Sequence, residues 1–190
     1  MNGSFIEKEV FEKADYSQKK IEKANYENCR FVNCNFASAD LSDINFVECD
    51  FKNCNISLAN ITNTTFRETA FTDCKIAGLN FEKSNKALFS AFFENDDLSM
   101  CTFIKLHLKK TRFIHCNLRG TDFTGADLRE SLFDQCDLTG TQFENTNLEK
   151  ADFRTSYNYT IDPELNRIRK AKFTLLGTTG LLQKYDIEIH

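Results

Sequence analysis

All eight cysteines of this chain occupy one position of a five-residue register. Each lies two residues before a large apolar residue, as Cys29 does before Phe31 and Cys136 before Leu138. Random placement does not produce such phasing, so a strict short repeat is the first property to establish. A period of five fits neither a helix at 3.6 residues per turn nor a flat strand at 2. The repeat therefore requires a different structural unit.

The large apolar residues are the centres of the repeat and recur every fifth residue over 16–81 and again over 93–153. Every centre is apolar, and most residues two positions earlier are Ala, Cys, Ser or Thr. A square coil explains both facts, because the large centre and the small residue then point inward and the chain turns at each corner. Small residues are needed where four sides converge on a narrow axis. Such coils bury their interior only by stacking.

The second run alternates phenylalanine and leucine at its centres without exception. With four units per coil, this alternation predicts phenylalanine stacks on two opposite sides and leucine on the other two. The predicted aromatic stack of this half consists of Phe103, Phe113, Phe123, Phe133, Phe143 and Phe153.

Several units, such as ADLSD at 39–43, CNLRG at 116–120 and ADLRE at 126–130, resemble the A(D/N)LXX unit of pentapeptide-repeat proteins. The resemblance covers roughly residues 10–160. It implies an all-β fold, the right-handed quadrilateral β-helix, with about seven coils and a length on the order of 35 Å at a strand spacing of about 4.8 Å. We therefore expect the β-helix over residues 1–160 and a C-terminal cap and dimerisation segment over 161–190.

The register slips once, within 82–92, where two extra residues separate Phe81 from Phe93. One interpretation is a bulge that seats an aromatic residue in the core, since Phe89 and Phe92 lie outside the centre position. The other is a contact surface, because loops that interrupt a solenoid often carry recognition. The sequence leaves both open.

The repeat is expected to end after Phe153, because Asn158 takes the next centre position and the only proline, Pro163, follows. We expect a last strand or closing turn over 164–173, a short helix over 178–183 and a short strand over 185–189. An apolar segment at the end of a solenoid covers the last coil, and it can either do only that or also form a homodimer interface. The candidate dimer residues are Leu175, Leu176, Leu181, Leu182, Tyr185, Ile187 and Ile189.

Composition argues against several function classes. The net charge of −4 disfavours direct nucleic-acid binding, and no apolar run is long enough to span a membrane. The polar, charged start of the chain does not resemble a signal peptide, so we expect a cytoplasmic protein with free inward thiols. His107 and His115 lie at outward positions, and the cysteine spacing does not match zinc motifs. We expect no catalytic residue, metal or cofactor, and hence no enzyme.

Charge is unevenly distributed along the chain. Residues 122–152 hold eight acidic and two basic residues, whereas 105–119 hold five basic and no acidic residues. An aspartate before a centre can serve the fold by hydrogen-bonding the turn backbone, so a structural role and a partner-binding role both remain open. The candidate partner-facing acidic residues are Asp122, Asp127, Glu130, Asp134, Asp137, Glu144, Glu149 and Asp152.

The register, the length and the C-terminal cap are similar to those of bacterial pentapeptide-repeat proteins that protect DNA gyrase. These include quinolone-resistance proteins and the immunity proteins of microcin B17 and albicidin producers. The resemblance implies a homodimer, joined through the C-terminal segment, that mimics DNA. It would bind DNA gyrase or topoisomerase IV and protect the enzyme from quinolones or peptide toxins.

Charge limits this hypothesis. Duplex DNA carries one charge per about 1.7 Å, so a dimer of roughly 70 Å would need about 40 charges to match it. Two chains of net charge −4 supply far fewer, and mimicry would rest on shape plus a local acidic patch. The alternative is a non-enzymatic scaffold or interaction solenoid with an unrelated protein partner. A continuous acidic stripe would favour the mimic, and acids scattered over all faces would favour the scaffold.

Overall fold

The computed structural model describes residues 4–188 and shows a parallel β-solenoid followed by a short helix. Strands one coil apart pair in parallel with a register of 20 residues, as in Phe113↔Phe133. Twenty residues are four pentapeptides, so each coil has four sides. The strands are β1 (Ser4–Glu7), β2 (Val10–Glu12), β3 (Ala24–Glu27), β4 (Arg30–Val32), β5 (Asn45–Val47), β6 (Asp50–Lys52), β7 (Thr65–Arg67), β8 (Thr69–Thr72), β9 (Ala91–Glu94), β10 (Arg112–Ile114) and β11 (Leu132–Asp134).

The sides of successive coils stack into four walls. Wall A is a sheet of seven parallel strands in the order β2-β4-β6-β8-β9-β10-β11, and wall D begins with the four-stranded sheet β1-β3-β5-β7. Isolated parallel bridges join the coils elsewhere. The predicted fold class of about seven stacked coils is confirmed. Representative inward centres are Phe31, Phe113 and Phe133 for wall A, Phe36, Leu118 and Leu138 for wall B, Leu41, Phe123 and Phe143 for wall C, and Phe46, Leu128 and Leu148 for wall D.

Aromatic rings fill the interior between walls A and C. Phe113 and Phe133 stack with ring centroids 5.0 Å apart, and Phe123 meets both rings edge-on at 5.7 and 6.0 Å. Phe103 and Phe143 continue the second stack above and below Phe123. The predicted phenylalanine stacks on opposite sides are therefore confirmed. Burying each such side chain contributes about 1.5–3 kcal/mol, so these stacks are a main source of stability.

The small inward residues link one coil to the next. All eight cysteines are free and buried, which confirms their inward position. The thiol of Cys54 donates to the carbonyl of Phe31 at 3.3 Å and to that of Lys52 at 3.4 Å. The two carbonyls belong to different coils, so the thiol satisfies buried backbone groups as well as filling space.

The corners need a left-handed backbone, which the residue two after most centres supplies. Asn33 and Asn53 have φ of 55° and 52°, and asparagine tolerates this conformation well. Leu58 and Met100 adopt it too, at φ of 57° and 59°. Their exposed side chains are accommodated because the next coil has glycine beneath each of them.

The register slip falls inside the predicted window. Strand pairing changes to a 22-residue register at Thr69↔Ala91. Two 3-10 turns, Phe81–Lys83 and Lys86–Leu88, precede the change. Because the second turn replaces a strand, the sheet of wall D stops at β7 while wall A continues.

The slip seats an aromatic residue in the core. The buried ring of Phe89 lies edge-on to Phe66, Phe81 and Phe103, at 6.4, 5.5 and 6.5 Å. Phe92 instead remains partly exposed, with the guanidinium of Arg112 5.7 Å above its ring. The structure thus supports the bulge interpretation, with Phe89 at the centre position of wall D.

Coil stacking continues beyond the expected boundary at 160. The N–H of Lys150 donates to the carbonyl of Arg169 at 3.0 Å, and the N–H of Lys172 donates to Ala151 at 2.8 Å. The ring of Phe173 stacks on Phe153 at 5.4 Å. Residues 164–173 therefore complete a further coil instead of forming part of the cap.

Two local adjustments make that extra coil possible. Asn158 takes a left-handed φ of 61°, and Tyr159 is buried in its place with its ring 5.6 Å from Phe153. Asn166 fills a small-residue position: its amide nitrogen donates to Phe143 O at 2.7 Å, and its Oδ1 accepts from Thr146 N at 2.9 Å.

The cap is a run of short helical turns. It comprises a 3-10 turn at Leu176–Thr178, helix α1 (Thr179–Leu182) and a 3-10 turn at Gln183–Tyr185, which confirms the predicted short helix. The predicted strand over 185–189 is wrong where the structure describes it, because Asp186 adopts a left-handed φ of 49° that interrupts extended backbone. Ile189 lies outside the described residues. Within 4–188, no helix is long and apolar enough to cross a bilayer.

Candidate functional site

The eight candidate acidic residues do not form one surface. Wall A carries two of them, wall B one, wall C two and wall D three, so the described residues contain no continuous stripe of these acids. By wall, they are Asp134 and Asp152 (A), Asp137 (B), Asp122 and Glu144 (C), and Asp127, Glu130 and Glu149 (D).

Two of these carboxylates are engaged by arginines of their own coil. Oδ2 of Asp127 lies 2.6 Å from Arg129 Nη2, and Oδ2 of Asp152 lies 2.8 Å from Arg154 Nη2. Hydrogen bonds from Arg129 lower the pKa of Asp127, and those from Arg154 lower the pKa of Asp152 to about 2. Each carboxylate also accepts the backbone N–H two residues later, which confirms the predicted turn role.

Asp137 is held by an arginine of the preceding coil, Arg119. Partial burial pushes the pKa of its carboxyl upward, but hydrogen bonds from Thr139, Asn158 and Arg119 outweigh that effect and bring the pKa to about 2. Oδ2 of Asp137 lies 3.0 Å from Arg119 Nη1. The negative charge of these aspartates is thus partly neutralised before any partner is met.

The end of the cap exposes a small apolar surface. Leu175 and Leu176 are 88% and 85% exposed, and Tyr185 and Ile187 are about half exposed at 47% and 55%. Leu181 differs, because it packs against the core cluster. The predicted dimer residues therefore divide into an apolar tip, defined as Leu175, Leu176, Tyr185 and Ile187, and residues that seat the cap.

Tyr159 joins the cap to the last coil. A Cβ at Gly180 would overlap the carbonyl oxygen of Tyr159, and a Cβ at Gly177 would overlap its hydroxyl. Only glycine permits these approaches. The N–H of Ile161 also donates to Gly180 O at 3.0 Å. The hydroxyl of Tyr159 has no hydrogen-bond partner within the part of the chain that is described, and burial raises its pKa.

Sequence reasoning missed one buried titratable residue, Asp96. It occupies a small-residue position of wall B, two residues before Leu98, and is only 2% exposed. Its oxygens accept backbone N–H bonds from Cys74 at 2.7 Å and Glu94 at 3.1 Å. The signal was available, since an aspartate stood where the repeat requires Ala, Cys, Ser or Thr.

The exposed histidines are not joined into a reactive cluster. His107 and His115 are exposed on walls D and A, as their register positions predicted. Over residues 4–188, no group of three His, Cys, Asp or Glu side chains is arranged to hold a metal ion. The described residues thus form a rod with charged walls and an apolar tip at the cap.

The family follows from the sequence match. The model of the pentapeptide repeat region matches residues 24–88 and 86–158. These ranges cover more than half of the chain, and the chain belongs to the pentapeptide-repeat family. No curated protein matches the sequence.

A solved structure shares the fold. A trypsin-treated variant of QnrB1, a plasmid-mediated fluoroquinolone resistance protein, aligns over 99% of this chain and 98% of that chain, with 20% identity and a TM-score of 0.63. HetL, a pentapeptide repeat protein involved in heterocyst differentiation regulation from Nostoc sp. strain PCC 7120, aligns over 88% and 81%, with 14% identity and a TM-score of 0.30. At these identities the likeness to QnrB1 shows the fold alone.

Proposed function

We propose that this protein is a non-enzymatic homodimer that binds a bacterial type II topoisomerase, DNA gyrase or topoisomerase IV, and protects it from fluoroquinolones. The observation that carries the proposal is the end-to-end correspondence with a fluoroquinolone resistance protein, which covers 99% of this chain and 98% of that one. The correspondence includes the cap as well as the coils. The proposal places the protein in the cytoplasm, where these enzymes act.

The apolar tip is the proposed dimer contact. Leu175 and Leu176 are almost fully exposed, and leucine side chains in that state favour burial against another apolar surface. Two rods joined at their tips would give a length of roughly 70 Å, twice that of one predicted rod at about 4.8 Å per coil. A long, straight rod of this kind resembles duplex DNA in shape.

The shape of the rod supports the proposed topoisomerase binding more strongly than its surface charge does. The candidate acids lie on four walls, and Asp127, Asp137 and Asp152 are already paired with arginine. Binding to the enzyme would therefore depend on the shape of the rod and on individual acidic residues. Among residues 4–188, Asp122, Glu144 and Glu149 have no basic partner within ion-pair distance.

The second candidate is a scaffold with an unrelated protein partner. The scatter of acidic residues over all four walls favours it. It needs the same rod and the same apolar tip, but no topoisomerase.

A supercoiling assay with purified gyrase and a fluoroquinolone tests the proposal. The protein should restore supercoiling and reduce drug-induced cleavage in a dose-dependent way. No binding and no protection over a wide molar excess would exclude the topoisomerase and leave the scaffold.

The dimer is tested with Leu175→Asp/Leu176→Asp, compared by analytical ultracentrifugation with Leu58→Asp. Leu58 is a matched control because it is 67% exposed on wall B, far from the tip. The double variant should be a monomer with reduced protection, and the control should remain a dimer. A double variant that still dimerises would contradict the assigned contact. Leu181 is a poorer choice, because it also holds the cap on the core.

A further inference from the structure

One corner of the rod concentrates positive charge. The basic corner, where walls D and A meet next to the cap, consists of Lys150, Arg167, Arg169, Lys170 and Lys172, all exposed. The stretch from 166 to 173 contains four of these bases and no acid. The whole-chain net charge of −4 conceals this surface, because five of the 24 basic residues of the chain lie together here.

The backbone holds these residues in fixed places. Leu148 N donates to Arg167 O at 2.8 Å, Lys150 N to Arg169 O at 3.0 Å, and Lys172 N to Ala151 O at 2.8 Å. The bases therefore project from a rigid coil rather than from a mobile tail. Residues two apart along an extended strand are about 6.6 Å apart, and neighbouring coils are about 4.8 Å apart. The result is a compact grid of cations.

Most of these cations have no carboxylate of their own. Among residues 4–188, none of Lys150, Arg167, Arg169 and Lys170 has a carboxylate within 4.0 Å, and only Lys172 is paired, with Asp152 at 3.4 Å. Asp152 is also bound by Arg154 at 2.8 Å. Four of the five bases thus make no ion pair within the described residues, although Glu130, Glu149 and Asp152 lie on the neighbouring coils of the same corner.

A groove runs through the corner. It has a volume of about 480 Å³ and is lined by Glu130, Ser131, Leu132, Lys150, Asp152, Lys170 and Lys172. The two acids in this lining have basic partners from outside the groove: Glu130 lies 3.5 Å from Lys109, and Asp152 lies 2.8 Å from Arg154. Lys150 and Lys170 therefore line the groove without an ion-pair partner among residues 4–188, whereas Lys172 is paired with Asp152 at 3.4 Å.

We infer that the basic corner binds the phosphate backbone of double-stranded DNA. Arginine guanidinium groups and lysine ammonium groups are the usual partners of phosphate oxygens. A row of them on one edge of the rod is complementary to the regularly spaced phosphates of duplex DNA. Contacts of these side chains to phosphate oxygens carry no sequence information, so the binding is expected to be independent of sequence. This activity does not depend on the proposed topoisomerase binding, because it needs only the corner and the duplex.

Fluorescence anisotropy with a labelled 20-base-pair duplex tests the inference on the full chain. Five engaged bases predict that log K falls with log salt with a slope of about −4 to −5. The variant Arg167→Gln/Arg169→Gln/Lys170→Gln should lower the magnitude of that slope by about 3, roughly one per base removed. The control Lys75→Gln/Lys83→Gln/Lys105→Gln removes the same charge from exposed sites on walls B and C and should leave the slope close to that of the unmodified protein.

Three results would overturn the inference. These are no saturable binding at about 50 mM salt, an equal loss in the control variant, or equally tight binding of a polyglutamate of matched charge. The last result would indicate a surface for acidic proteins instead. Circular dichroism checks that the variants fold; if the first variant does not, Lys150→Gln/Lys172→Gln replaces it with an expected slope change of about 2. No topoisomerase is present, so failure here is distinguishable from failure of the proposed protection.

Discussion

The carboxylate of Asp96 accepts a 2.7 Å hydrogen bond from the backbone N–H of Cys74, one coil earlier in wall B. The equivalent positions in other coils hold thiols, as at Cys54 and Cys136. At the far end of the column, Ser156 plays the same part, with its Oγ accepting from Cys136 N at 3.0 Å. An ionisable group thus occupies a position that a neutral side chain fills elsewhere.

Asp96 should make stability depend on pH. Burial raises its pKa to about 8 in the folded protein, against about 3.9 in an unfolded chain. Between these values the folded state holds a proton that the unfolded state lacks, so the free energy of unfolding falls as pH rises from about 4 to about 8. Compared with Asp96→Ser, the unmodified protein should lose up to about 3 kcal/mol between pH 5 and pH 7.5. Urea unfolding at both pH values measures this.

The matched control is Asp50→Ser, the same chemical change at an exposed position. It should leave the pH dependence of unfolding unaltered. If Asp96→Ser and the unmodified protein show parallel stability curves from pH 5 to pH 7.5, the raised pKa is contradicted.

The eight thiols should be protected in the folded protein. All are buried, and burial raises the pKa of Cys49 and of Cys101 to about 12. Because a bulky water-soluble aromatic disulfide reagent cannot reach a buried sulfur, it should modify none of the eight natively and all eight after unfolding. Lys52→Cys, at an exposed position of β6, should add one fast-reacting thiol. Rapid reaction of a native thiol would show that a coil opens readily.

Two phenylalanines three residues apart should respond differently to truncation. Phe89 is 6% exposed and lies among three other rings, so Phe89→Ala should cost about 3–5 kcal/mol through the cavity it leaves. Phe92→Ala removes only a partly exposed ring and its contact with Arg112, which is worth about 1 kcal/mol or less. Equal losses in denaturant unfolding would mean that the slip is placed differently.

Gly180→Ala should loosen the cap. The added Cβ would overlap the carbonyl oxygen of Tyr159, and relieving such a clash by backbone movement costs about 1–3 kcal/mol. The movement would break the bond from Ile161 N to Gly180 O, so hydrogen exchange at Ile161 should accelerate. Thr179→Ala, an exposed neighbour in α1, should leave that exchange rate unchanged. Unaltered exchange in Gly180→Ala would show that the cap yields without cost.

The repeat made most of the architecture predictable, because the five-residue period determines that each centre and each small residue points into the core. The window of the slip followed from counting, but counting could not choose between Phe89 and Phe92. That choice depends on how the turn Lys86–Leu88 is wound. Similarly, the continued stacking to Phe173 depends on Asn166, whose amide satisfies three backbone groups that no periodic rule anticipates.

The surface was harder to predict than the core. Register positions predicted the wall on which each acidic residue lies, but not whether its carboxylate is paired with an arginine or free to contact a partner. The pairs Asp127–Arg129 and Asp152–Arg154 form because long arginine side chains fold back onto their own wall. Such rotamers depend on local packing, which the sequence pattern does not encode. The basic corner was hidden for a related reason, since residues 150 and 166–173 are distant in sequence and meet only through the 20-residue register.

The 20-residue register also governs how such a rod can change its length over evolutionary time. A duplicated or deleted coil would preserve every inward position, so the rod can lengthen or shorten only in steps of about 4.8 Å. The cap and the last coil would move together with each step, since Tyr159 and Gly180 connect them directly. The distance between the first described coil and the tip therefore changes by whole coils, and a partner that touches both must span that distance.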